Sequence, residues 1–202
     1  ALDASSSSEA ARRIVRYAAV LGASFRTGVL EGLLRAGGAT LDADALARAE
    51  AFLEPAGEDH LAFRRGLVRD MAYEGLAFRV RRQLHQLAGE ATEAAGGDVD
   101  AAADILAWHF SLAGDFGRTW RYARISAHRA HRAYANPEAA RLWRLALDAA
   151  RRLPGVPVAE RLAAWTALGD SCVNAGMFDD ALAAYRAGSR LVRGDALAGA
   201  EL

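Results

Sequence analysis

Lysine is missing. All 25 basic residues of this 202-residue chain are arginine, so no phosphate loop of the G-x-x-x-x-G-K-[ST] type can form. Codon usage in a GC-rich genome accounts for the bias without invoking function. A single cysteine, Cys172, excludes an internal disulfide framework and a cysteine-based zinc cluster. No apolar run reaches membrane-spanning length, and no charged segment followed by an apolar one marks a signal peptide. A cytoplasmic location is therefore expected, with no membrane partner. The 25 basic residues balance 25 acidic ones, which argues against a wholesale nucleic-acid binder. There is no glycine-rich dinucleotide turn and no G-x-S-x-G elbow. Carboxylates are scattered, without a pair suited to acid–base work. No catalytic constellation and no cofactor are expected.

What is present is a chain that is 52% hydrophobic, rich in Ala and Leu. That composition is globular and helical, and the length suffices for one or two domains. A capping box, Ser6-x-x-Glu9, precedes Ile14, Tyr17, Ala18 and Leu21 at helical spacing, and Gly22 ends the segment. A second short helix stops at Gly37-Gly38, and a third covers 42–54 with Leu46, Ala49 and Leu53 inward. Pro55, Gly57 and Asp59 then mark a turn, followed by Leu61 and Phe63 in alternation, which is a hairpin signal. Three short helices and a hairpin make a winged-helix order. From Leu67 the period is helical again, with Leu76, Val80, Leu84, Leu87 and Ala91 in one stripe up to Gly96-Gly97. Helices are expected next over roughly 100–113, 117–134, 137–152, 159–175 and 178–193. Asn136 serves as a cap before Pro137, and Pro154 and Pro157 stiffen a connection.

The second half carries an internal pattern. Trp165, Leu168, Gly169, Gly176, Phe178, Ala181 and Tyr185 occur in the order and spacing of a helix pair that resembles the tetratricopeptide repeat. Gly188 stands where that repeat usually has Ala, and Arg193 where it usually has Pro. A weaker copy, Ala123, Ala127, Asn136, Ala139, Trp143 and Ala146, lies 42 residues earlier, against a usual period of about 34. Small residues let the helices approach, and the aromatics fill the space to neighbours. Such repeats stack into a superhelix with a partner-binding surface. The plainer alternative is that the helices only cover a neighbouring domain.

The stretch "FRRGLVRDMAYEGL" resembles a segment of the STAND signalling ATPases, nucleotide-switched regulators with bacterial members fused to adenylate cyclase or LuxR-type domains. In those members a winged helix ends in a strand, followed by a motif of the form F-[RK]-H-x-L-[VI]-R-[DE]-x-x-Y, a long helix and tetratricopeptide-like repeats. Phe63, Leu67, Val68, Arg69, Asp70 and Tyr73 match it. Arg82, His85 and His109 also fit the bacterial pattern. The resemblance spans nearly the whole chain. It implies that the position of Arg65, a histidine in the family, contacts the phosphates of a nucleotide bound by an ATPase domain of the parent protein. Arginine can grip a phosphate bidentately; alternatively Arg65 only decorates a hairpin. The chain begins at Ala1 and stops at "AGAEL", which reads as a piece of a longer protein.

Three further features bear on partners. His128-x-x-His131 lies on one helix face, more consistent with a solvated basic face than with a metal site. The segment 42–54 holds one arginine against four carboxylates. As the reading helix of a winged helix it would repel DNA, so DNA binding is not expected. Between 118 and 152, nine arginines face only Glu138 and Asp148. Arg121, Arg124, Arg129 and Arg132 are thus a candidate docking face for an acidic protein segment; the alternative is a solvated face neutralised by the acidic first domain.

The expectation is a mainly α chain: a winged-helix-like module with a small β-hairpin over 1–66, a long connecting helix over 67–98, and a tetratricopeptide-like superhelix over 99–202. The function implied is a non-catalytic regulatory and protein-interaction fragment of a bacterial signalling ATPase. Its partner would be another protein or the ATPase domain of the same chain. The runner-up is an autonomous repeat scaffold binding an acidic protein. The repeat core is expected to contain Trp143, Trp165, Leu168, Gly169, Phe178, Ala181 and Tyr185.

Overall fold

Ile14, Ala18 and Leu21 recur three and four residues apart and are all buried, which makes their segment one amphipathic helix, α1 (Leu2–Leu21). It ends where Gly22 adopts φ +117°. The computed structural model describes residues 2–39, 43–96 and 98–200, and side chains over 9–39, 44, 46–96 and 98–193. The backbone is helical from Leu2, so Ser6 lies inside α1 rather than at its cap, and its side chain falls outside the described ones.

The protein is mainly helical with one small antiparallel sheet. After α1 come β1 (Ser24–Arg26), α2 (Thr27–Ala36), α3 (Ala43–Ala49), β2 (Leu53–Pro55) and β3 (His60–Phe63). The strand order is β1-β3-β2, with Phe25 opposite Leu61 and Leu53 opposite Phe63. Phe25 and Phe63 meet edge to face beneath the sheet, 6.3 Å apart. The helix expected over 42–54 stops at Ala49. Phe52 N closes a turn on Ala49 O, and Leu53, 1% exposed, is buried from a strand instead. Asp42 lies outside the described residues.

The single helix expected over 67–98 is two helices, α4 (Gly66–Glu74) and α5 (Phe78–Ala94). Glycine is a weak helix interior residue, by about 1 kcal/mol against alanine, and Gly75 caps α4. Ala77 is extended, and Arg81 Nε donates to Leu76 O at 2.9 Å, fixing the corner. Leu76 is buried, while Leu67 and Met71 are 71% and 67% exposed. Neither α4 nor α5 is a connector. Leu76, Leu84 and Ala88 belong to the same core as Ile14, Leu30 and Phe63. On α2, Gly32 lets α5 approach, since a Cβ there would sit 3.3 Å from Ala91 Cβ.

The chain divides into two compact units, Ala1–Gly97 with Leu112–Gly114, and Asp98–Ser111 with Asp115–Leu202. The first boundary thus falls after α5 rather than at residue 66. The second unit takes in α6 (Ala103–Ala113), whose end is counted with the first, and α7 (Phe116–Arg132), α8 (Asn136–Ala150), α9 (Val158–Asn174) and α10 (Phe178–Ala200). Each of α7 to α10 packs on the next in sequence. Phe110 stacks on Tyr122 at 5.8 Å, and Ala123, Ala127, Trp143, Ala146 and Cys172 fill the core between helices.

The turn before α8 departs from expectation. Ala135 N donates to Ala130 O, closing the end of α7 with Tyr134 in a left-handed conformation, φ +58°. The comparable turns place Gly38, Gly114 and Gly176 at that position. Helix α8 consequently starts at Asn136, whose side chain makes no capping bond and leaves Oδ1 buried without a hydrogen-bond partner.

Candidate functional site

At the arginine junction two neighbours have different fates. Arg64 is clamped: Nε donates to Glu50 O at 2.9 Å and Leu53 O at 3.1 Å, and Nη1 pairs with Glu54 at 3.2 Å. It staples the α3–β2 turn to the end of β3. Arg65 is exposed at the start of α4, extended at φ −140°, and no ion pair to it occurs among the described residues. It borders a hollow of about 290 Å³ with Ala51, Phe52, Arg64 and Val68. Asp70 pairs with Arg69 at 2.5 Å rather than with Arg65.

In the second unit, Trp143, Leu168 and Ala181 are buried, and Trp165 is half-buried against them. Helices α9 and α10 approach through two glycines placed reciprocally. A Cβ on Gly169 would run into the Tyr185 ring, 2.5 Å from Cζ; a Cβ on Gly188 would meet Leu162 and Trp165 at 3.2 and 3.3 Å. Tyr185 is at the rim, 37% exposed, and its hydroxyl donates to Asp170 Oδ1 at 2.6 Å. That bond to a carboxylate pushes the phenol pKa up to about 12. Phe178 is not a core residue: it is 69% exposed. The Gly176 turn brings Met177 against the core and leaves Phe178, the first residue of α10, outside.

The arginine-rich stretch of 118–152 is largely neutralised within its own unit. Arg124 pairs with Glu160 at 2.7 Å and lies over the Trp120 ring. Arg129 pairs with Asp104 at 3.3 Å and also reaches Asp100 O. Arg141, Arg144 and Arg151 meet Glu138, Asp180 and Asp148. Of the four arginines expected to form a docking face, Arg124 and Arg129 are thus ion-paired. Arg121 lies over the Tyr122 ring, and no ion pair to Arg132 occurs among the described residues. Glu160, Asp104 and Asp180 come from neighbouring helices, which counting along one stretch overlooks.

Two of the histidines are buried. His85 is 1% exposed and hydrogen-bonds Tyr73 OH at 2.9 Å. Burial, helped by Arg81, lowers its pKa to about 4. His109 is equally buried. His128 packs edge-on to Trp143, and burial followed by the nearby arginines lowers its pKa. Among the described residues no group of three or more His, Cys, Asp or Glu could hold a metal ion, and no helix is long and apolar enough to cross a membrane.

No protein-family model, no curated protein and no solved structure matches the chain.

Proposed function

We propose that this chain is a non-catalytic, protein-interacting regulatory region of a nucleotide-switched signalling ATPase of the STAND type. The first unit is read as a winged helix and the second as a tetratricopeptide-like array. The observation that carries the reading is the order α1-β1-α2-α3-β2-β3 with strand order β1-β3-β2, followed by antiparallel helix pairs whose close approach depends on Gly169 and Gly188. Arg65, exposed at the strand-to-helix junction and not claimed by a carboxylate among the described residues, suits a contact with an anion outside this unit.

The experiment is ADP dissociation from the intact protein that carries this region. Arg65→Ala removes one charge-assisted hydrogen bond, about 1.5–3 kcal/mol, so ADP leaves about tenfold faster or more. Equal off-rates for parent and variant would sink the phosphate-contact reading and confine the resemblance to architecture.

A further inference from the structure

Among the described residues carboxylates pair six of the thirteen arginines of the second unit and, in the first, Arg26, Arg64 and Arg69. In the first, Arg81 is held by the Leu76 carbonyl and the Tyr73 ring, and Arg82 donates twice to the Ala113 carbonyl. Carbonyls and ring faces hold a guanidinium without neutralising it. Arg13 and Arg16 on α1 are exposed, and no ion pair to either occurs among the described residues. Arg13 and Arg16 therefore present positive charge on this face of α1.

That surface is also grooved. A cleft of about 360 Å³ is bordered by Arg12, Arg13 and Arg16, with Glu9 at its rim. The cleft is also lined by Tyr17 from α1 and by Leu76, Val80 and Leu84. Leu76 and Leu84 are buried, whereas Val80 is 42% exposed. Val80 thus offers the exposed apolar contact of a cleft that arginines also line.

We infer that this α1–α5 groove docks an acidic amphipathic helix of a partner protein. The inference deepens the protein-interaction reading above and rests on it. The cleft extends for roughly two helical turns and fits one apolar stripe. Arg13 and Arg16 lie three residues apart on α1, so carboxylates spaced one turn along a docked helix meet them in pairs. Guanidinium forks bind carboxylates bidentately, which fixes orientation as well as attraction. A nucleic acid would satisfy the charge and leave the exposed Val80 uncovered.

The test uses the whole 202-residue chain and fluorescence anisotropy. The probe is a labelled helical peptide of about 14 residues with a leucine stripe flanked by glutamates. The expected result is saturable binding that weakens about tenfold or more in Arg13→Glu/Arg16→Glu. Arg13→Gln/Arg16→Gln shifts it in the same direction, and far-UV circular dichroism confirms that each variant is folded. Val80→Asp also weakens binding, and Arg121→Glu/Arg132→Glu in the second unit leaves it unchanged. Equal affinity for parent and both α1 double variants would overturn the proposal. So would equal binding of a peptide with lysine in place of glutamate, or displacement of the probe by duplex DNA at matched charge. These readouts involve no nucleotide, so their failure is separable from a failure of the ADP experiment.

Discussion

Gly169 and Tyr185 define a reversal of sign that only direct contact produces. Alanine is better than glycine inside a helix by about 1 kcal/mol, and Gly169 sits well within α9. Propensity alone therefore says that Gly169→Ala stabilises. The structure says otherwise, because the new Cβ would lie 2.5 Å from Tyr185 Cζ and 2.8 Å from Cδ1. The ring does not swing aside freely, since its hydroxyl is tied to Asp170. Overpacking of this kind costs about 1–3 kcal/mol. Taking about 2 for the clash and subtracting about 1 for propensity, Gly169→Ala should destabilise by about 1 kcal/mol. In a Tyr185→Ala background the clash is gone, and the same substitution should stabilise by up to about 1 kcal/mol. The double-mutant cycle then reports a coupling of about 2 kcal/mol. Urea unfolding followed by tryptophan fluorescence is the assay. Trp108, Trp120, Trp143 and Trp165 all lie in the second unit, so the signal reports that unit alone. Gly169→Ala stabilising both backgrounds equally would show that the ring is not seated on Gly169 and that the reading of α9 and α10 as a close-packed repeat pair is mistaken.

Tyr134→Gly should raise stability by about 0.5–1 kcal/mol, because it relieves a left-handed conformation costing roughly 1–2 kcal/mol in exchange for some unfolded-chain entropy; an unchanged urea midpoint would refute the strain. His85 takes up a proton in the unfolded chain near its ordinary pKa of 6.5 but in the folded one only near 4. The unfolded state thus binds more protons between those values, and stability should fall as pH drops through that window, by at most about 3 kcal/mol. His85→Gln should flatten that limb in a pH series of denaturation midpoints, and an identical slope would disprove the cause. Arg82→Lys should cost the first unit about 1 kcal/mol, because an ammonium cannot reproduce two donors on one carbonyl. Arg16→Lys should be neutral, and equal effects in circular-dichroism melts would contradict the distinction.

The helices of the second unit are legible because small and aromatic residues recur there at helical spacing over long segments. The expected 159–175 coincides closely with α9 (Val158–Asn174), and 117–134 with α7 (Phe116–Arg132). Strand β1 is not legible: Ser24–Arg26 offers one apolar residue, too short for alternation, and exists because β3 gives it a partner. The break between α4 and α5 is written in Gly75, yet the stripe of Leu76, Val80 and Leu84 conceals it by continuing the period across the corner. Leu67 and Met71, on α4 before that corner, lie in solvent. Phe178 fails for a related reason, since a repeat pattern gives the order of residues but not the rotation with which Gly176 launches α10. The partners of Arg124 and Arg129 are invisible along the chain because they are distant in it. Glu160 is 36 residues from Arg124, and Asp104 is 25 from Arg129.

Arginine's role in this chain is set by what accepts its protons, and that sorts the surface more sharply than counting charge. Arg124 and Arg144 face carboxylates, so they orient α9 and α10 against their neighbours while adding no net field. Arg64 and Arg82 meet backbone carbonyls; these bonds satisfy loop and helix-end oxygens that helices leave unpaired. Arg82 in that role keeps its full charge, as does Arg81 beside it. Arg64 shares its fork with Glu54 and does not. A lysine ammonium would bind each carbonyl singly and remain more strongly hydrated. The fork is what lets a cation be structural at one edge and electrostatically open at another. The zero net charge of the sequence therefore hides an uneven distribution. The second unit pairs six of its thirteen arginines with carboxylates among the described residues, and on the α1–α5 edge of the first Arg13 and Arg16 have no such pair. An interaction surface is better sought where charge is left over than where arginine is most frequent.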